Sequence, residues 1–238
     1  MNEVVALLQA EQSEVLRVGL SGHLGDHSSF GQVTRKQWLH ELNEAYHRAA
    51  ARANELHVPI FFVGYSLGAL LALDLMSQNA KIRFDRMVLF APPLSIKIPR
   101  FLIRFARCLL GKGFVVPSFS PNSYRANHGT TLAAYVALID SLQALRKSGF
   151  AHLQKVPTLV LIDLKDELVS YRGVKSELSK FGFSTEWKIL PLKEHSSQTP
   201  HHLIIDSEAV GTKEWNQIKN WIHQQLFQAE ISVQNGTN

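Results

Sequence analysis

The chain is 238 residues long with 45% hydrophobic and 19% charged residues, which excludes a disordered or fibrous protein and fits one large α/β domain. Its net charge of +5 comes from scattered basic residues without a nucleic-acid module, and its eleven histidines fall at no zinc-binding spacing, so neither nucleic acid nor a structural metal is expected. A single cysteine, Cys108, excludes an internal disulfide and suits a reducing compartment; with no signal-like start and no apolar run of ~18 residues, the expectation is a soluble cytoplasmic protein.

Short apolar runs alternate with longer stretches of helical period, the pattern of a mostly parallel sheet flanked by helices. Strands are expected at Val15–Leu20, Ile60–Val63, Arg86–Phe90, Thr158–Ile162 and Glu186–Leu190. Between the first two, Trp38, Leu39, Leu42, Ala45, Ala49 and Ala53 give Thr34–Leu56 one apolar face, with Thr34 as a cap. The leucine- and alanine-rich run Leu67–Ser77 predicts a buried helix after the second strand. Residues 91–150 break the rhythm: a basic apolar segment Ile96–Lys112, a loop rich in Pro, Ser and Asn, and a helix near Thr131–Arg146 read as an insertion over the sheet edge. Lys213–Phe227, started by Gly211 and Thr212, predicts a terminal covering helix, and about 229–238 a frayed tail. The whole reads as a single domain with a small helical cap at about 92–150.

One stretch carries chemistry. In Val63-Gly-Tyr-Ser-Leu-Gly-Ala69 a serine stands between two glycines, with an apolar strand running in and a helix-forming run leaving. Such a turn forces the serine into an unfavourable backbone conformation and aims its hydroxyl outward; Gly64 and Gly68 are expected where a side chain would strike the adjacent strand or helix. The amide of Leu67, at the helix start, would point to where an oxyanion forms.

With its flanking strand and helix, this string resembles the nucleophile elbow of the α/β-hydrolase superfamily. Leu20-Ser-Gly-His-Leu-Gly-Asp26 is similar to the Gly-His-Gly loop of many esterases and monoacylglycerol lipases, with Leu24 as an extra residue. The resemblance spans about residues 15 to 227 and implies an α/β-hydrolase fold and a nucleophile, acid and base in the order Ser, Asp or Glu, His. Asp163-Leu-Lys-Asp166-Glu-Leu-Val resembles the superfamily's acid loop in a register that selects Asp166; Asp163 and Glu167 are the competitors. For the base, spacing from the last strand favours His195, while His201-His-Leu-Ile-Ile-Asp206 resembles the segment that follows the catalytic histidine. The choice is His201, with His202 close behind; His23 reads as structural, fixing its own loop.

The catalytic set implied is therefore Ser66, Asp166 and His201, with the Leu67 amide at the oxyanion and no cofactor. Met1-Asn-Glu-Val-Val-Ala-Leu-Leu-Gln resembles the end of the superfamily's first helix, which implies an N-terminally shortened fold lacking the early strands and the His-Gly oxyanion loop. The substrate expected is a carboxylic ester or other small acyl compound, such as an acylglycerol. Lys97, Arg100, Arg104 and Arg107 interleaved with bulky apolar residues suit a cap over an acyl chain or a contact with a lipid surface. A thioesterase or acyltransferase, or a hydrolase-like protein that binds acyl ligands without turnover, are the alternatives.

Overall fold

The computed structural model describes residues 1–23, 27–97, 100–118, 121–124, 127–149, 153–180, 187–192 and 199–228. In chain order the helices are α1 Asn2–Ala10, α2 His27–Phe30, α3 Arg35–Leu56, α4 Leu67–Gln78, α5 Arg100–Leu110, α6 Leu132–Ser148, α7 Tyr171–Lys180, α8 Ser207–Val210 and α9 Thr212–Phe227. The strands are β1 Phe61–Tyr65, β2 Arg86–Phe90, β3 Val115–Pro117, β4 Gly129–Thr131, β5 Thr158–Asp163 and β6 Trp187–Leu192.

β1, β2, β5 and β6 form one parallel sheet in that order, and β3 pairs with β4 antiparallel. Both faces of the sheet are covered, as parallel sheets require. The alternation within single strands shows it: Met87 and Leu89 join Val160 and Ile162 in one core, while Val88 and Phe90 join Leu159 and Leu161 in another. The first core packs under α3, α4, α6 and α7, the second under α1 and α9.

Local signals explain the helix bounds. The Thr34 hydroxyl accepts from the Gln37 amide at 3.2 Å and starts α3; Thr131 does the same for α6 through Ala134 at 3.2 Å. α3 ends where His57 turns left-handed at φ 54°. Trp38 of α3 is fully buried and donates its indole N–H to the Ser21 carbonyl at 3.0 Å, pinning the preceding loop.

Three differences from the sequence expectations have physical reasons. Val15–Leu20 is not a strand: it has no ladder partner among the described residues, Leu16 and Val18 are exposed, and it is held by the Arg17–Asn2 side-chain pair and by Leu20 packing against the main core. β1 is consequently an edge strand whose outer side pairs with no strand among the described residues. The last strand runs on through Pro191 to Leu192, because an edge strand tolerates a residue without an N–H; Glu186 lies outside the described residues. α6 is no surface insertion either, since Ala133, Ala134, Ala137, Leu142 and Leu145 belong to the main core. Only α5 and the β3–β4 pair stand outside it, with Ile103 of α5 in a satellite cluster with Leu132, Val136 and Ile139. The expected tail at 229–238 lies outside the described residues.

Candidate active site

β1 leads straight into Ser66, which adopts φ 48° and ψ −116° between strand and α4. A non-glycine residue at this positive φ is strained, and the strain is held by hydrogen bonds on both sides. The Ser66 amide donates to the Phe90 carbonyl at the end of β2 (2.8 Å), and the Ser66 carbonyl accepts from Leu70 (3.2 Å). Gly64 is required by close approach: a Cβ there would lie 2.9 Å from the Ala69 amide nitrogen and 2.5 Å from the Phe62 ring. Gly68 is not, because a Cβ there meets nothing within 4 Å. The expectation of two sterically required glycines thus holds for one. Leu67 opens α4, where the first amides have no partner within the helix.

β5 ends in Asp163, and the loop beyond it turns Asp166 inward. Asp166 is fully buried, and its Oδ1 accepts from the amides of Leu168 and Val169, both at 2.8 Å. These two bonds fix the carboxylate in place and leave Oδ2 free to accept a third. The segment before α5 is tied to the same loop: the Lys97 amide donates to the Leu168 carbonyl at 2.9 Å, Ile96 bridges Val169, and the Lys97 ammonium donates to the Asp166 carbonyl.

His201 and His202 occupy a tight turn closed by the Leu203 amide on the Pro200 carbonyl at 2.9 Å. His202 Nδ1 lies 2.8 Å from Asp166 Oδ2 and its Nε2 lies 2.9 Å from Ser66 Oγ. A carboxylate only accepts, so Nδ1 carries the proton and Nε2 is left to accept from the serine hydroxyl. His201 points elsewhere, with Nδ1 3.1 Å from Asp163 Oδ2. The expected pairing of His201 with Ser66 and Asp166 is corrected: His202 makes both contacts, because neighbouring residues in a turn direct their side chains apart and only one reaches the serine. Glu167, weighed in the sequence as a rival acid, instead accepts from the His201 amide (2.9 Å) and the His202 amide (3.1 Å), clamping the turn. Nothing in the sequence distinguished that role from a solvated carboxylate. His195 lies outside the described residues.

The Tyr65 ring rests 5.3 Å from that of His202. Burial, then the nearby charges of Asp166, Glu167 and Asp206, push its phenol far above the ordinary tyrosine range, so it stays neutral beside the histidine. His23 packs edge-on against Phe30 at 5.1 Å, in keeping with a part in its own loop. Among the described residues no cluster of three or more His, Cys, Asp or Glu is arranged to hold a metal ion.

A parallel sheet flanked by helices, with a strained serine after one strand and an acid and histidine after later ones, defines an α/β hydrolase. The chain belongs to the Hydrolase_4 family, described as serine aminopeptidase, S33, whose model matches residues 1–131. No curated protein matches the sequence. Among solved structures the fold is similar to one of the metagenome-derived lipolytic enzymes LipS and LipT, at 20% identity and a TM-score of 0.62, covering 86% of this chain and 80% of that one. It is also similar to a soluble variant of the monoglyceride lipase of Saccharomyces cerevisiae, at 14% identity and a TM-score of 0.63, covering 87% and 74% of the two chains. A third likeness is to the Paleococcus ferrophilus monoacylglycerol lipase, at 16% identity and a TM-score of 0.57, covering 81% and 76%. No described helix is long and apolar enough to cross a membrane.

Proposed function

We propose that the protein is a serine hydrolase that cleaves carboxylic esters through Ser66, His202 and Asp166. The observation that carries this reading is the unbroken chain of contacts from Ser66 Oγ through His202 to Asp166, 2.9 Å and 2.8 Å, on a strained elbow. Membership of a hydrolase family supports the reaction class, and the fold's likeness to lipolytic enzymes and monoglyceride lipases supports an ester substrate.

His202 Nε2 takes the hydroxyl proton as Ser66 Oγ bonds to the ester carbonyl carbon, and the Leu67 amide donates to the oxygen that becomes negative. Asp166 keeps the imidazole in the reactive tautomer and stabilises its charged form. The carbon–oxygen bond to the alcohol then breaks, the alcohol takes the proton from His202, and the acyl group stays on Ser66. Water, deprotonated by His202, releases the acid and restores the serine. An oxyanion donor of this kind is worth about a hundred- to a thousandfold in turnover.

We assign α5 and the β3–β4 pair as the cap for the acyl chain, and the free thiol of Cys108 fits a reducing compartment such as the cytoplasm. Turnover of short p-nitrophenyl esters, lost in Ser66→Ala, tests the reading. A folded protein that cleaves no ester would favour acyl-ligand binding without turnover, and faster cleavage of an aminoacyl p-nitroanilide would move the substrate class to amides.

A further inference from the structure

α5 has a wide apolar sector of which the fold covers only one side. At 100° per residue, Ile103 and Ala106 face the satellite core on α6. Phe101, Phe105 and Leu109, spaced four apart, form a row on the adjoining side and are 70%, 63% and 67% exposed. Single exposed apolar residues are ordinary, but here they are concentrated in one stretch: of twelve large apolar side chains exposed in the described structure, six (Phe101, Leu102, Phe105, Leu109, Leu110 and Phe114) fall within residues 101–114, and Leu102 joins the Phe101–Leu109 row on the helix.

Charge singles out what would cover them. Between Asp85 and Asp140 the sequence contains no Asp or Glu, while Lys97, Arg100, Arg104, Arg107 and Lys112 lie in or beside α5. Arg104 pairs with Asp140 at 2.9 Å; Arg107 and Lys112 are exposed and make no ion pair among the described residues. Around the helix, Arg104 flanks the Phe101–Leu109 row on its Phe101 side and Arg107 falls on the side away from it. A second copy of the chain fits poorly, since pairing α5 with itself would press these cations together with no carboxylate in that stretch to offset them.

We propose that α5 is an interfacial helix that seats the protein on an anionic lipid surface. Phe101, Phe105 and Leu109 enter the acyl boundary, and the basic residues stay at headgroup level. Lys97, three residues before α5 in the chain, is bonded to the Asp166 loop, so the seated helix is close in sequence to a contact with the candidate site. That the surface also delivers the substrate rests on the ester-hydrolase reading; the seating itself does not.

The test uses Ser66→Ala protein, so that binding is read without turnover. It is floated with vesicles of phosphatidylcholine alone or mixed with phosphatidylglycerol, and Cys108, the only thiol, carries an environment-sensitive dye in a parallel measurement. Binding to the anionic vesicles is expected to be about tenfold tighter than to neutral ones, with a blue shift of the dye and weakening by salt. Phe101→Ser with Phe105→Ser lowers binding by about tenfold or more, and Arg107→Glu with Lys112→Glu removes the preference for phosphatidylglycerol. All four sites are exposed, and circular dichroism verifies that the variants are folded. Equal binding to both vesicles, binding indifferent to the phenylalanines, or no binding would each overturn the proposal. A dimer that Phe105→Ser dissociates, without vesicle binding, would assign the face to a second copy.

Discussion

His202 Nε2 stands 2.9 Å from Ser66 Oγ while the adjacent His201 turns its Nδ1 to Asp163 at 3.1 Å, so one turn presents two histidines to two different carboxylates. Only the first pair connects to the proposed nucleophile. His202→Ala is expected to lower kcat for a p-nitrophenyl ester by about a thousandfold or more. His201→Ala should stay within about tenfold of the parent, because it removes a neighbour of the turn and no proton acceptor. Steady-state rates of the two variants, with circular dichroism to verify folding, check this; the reverse ranking would return the role to His201.

The resemblance of His201-His-Leu-Ile-Ile-Asp206 to a family segment points to the turn that carries His202, the residue beside Ser66 and one position on from the expected His201. Sequence register resolves which loop carries a histidine, but in a turn a shift of one position swings a side chain to another partner. Asp166 was legible because its loop follows directly from an unbroken apolar strand. The clamp by Glu167 was not, because a carboxylate that accepts from backbone amides of residues 34 and 35 positions away leaves no local signal. In the fold, the core strands announced themselves as apolar runs, whereas Val15–Leu20, with a similar apolar pattern, has no ladder partner among the described residues and leaves Leu16 and Val18 exposed; an apolar pattern alone fixes neither pairing nor burial.

Glu167 acts through the turn that carries His202, so it is a positioning residue. Glu167→Gln retains one acceptor and places an amide against the second N–H, and it is expected to lower kcat about three- to tenfold with little change in KM. Glu167→Asp should recover part of the loss. A rise in KM alone, with kcat untouched, would instead put Glu167 in substrate binding.

The two glycines of the elbow should respond differently. Gly64→Ala places a methyl group against the Ala69 amide and the Phe62 ring, and is expected to cost about 2 kcal/mol of stability and most of the activity. Gly68→Ala meets open space and should be tolerated, with a small gain from better helix propensity. Chemical denaturation of both variants, compared with their ester turnover, separates them.

Tyr65 sets a pH dependence at the alkaline end. Its phenol pKa is raised in the folded state, so the fold retains a proton that the unfolded chain releases above about pH 10. The associated stability is fully present below that pH and is lost progressively as pH climbs toward the folded value. Tyr65→Phe should flatten the decline of unfolding free energy above pH 10, while leaving stability near neutrality changed by about 1 kcal/mol or less. Urea denaturation at a series of pH values reads both.

The most direct measurement is mass spectrometry of the protein after reaction with a fluorophosphonate. A single adduct on the peptide that contains Ser66, absent from Ser66→Ala, strongly slowed in His202→Ala and retained in His201→Ala, is the expected result. An adduct on another residue, or labelling of Ser66 that His202→Ala leaves at full rate, would contradict a nucleophile activated by His202.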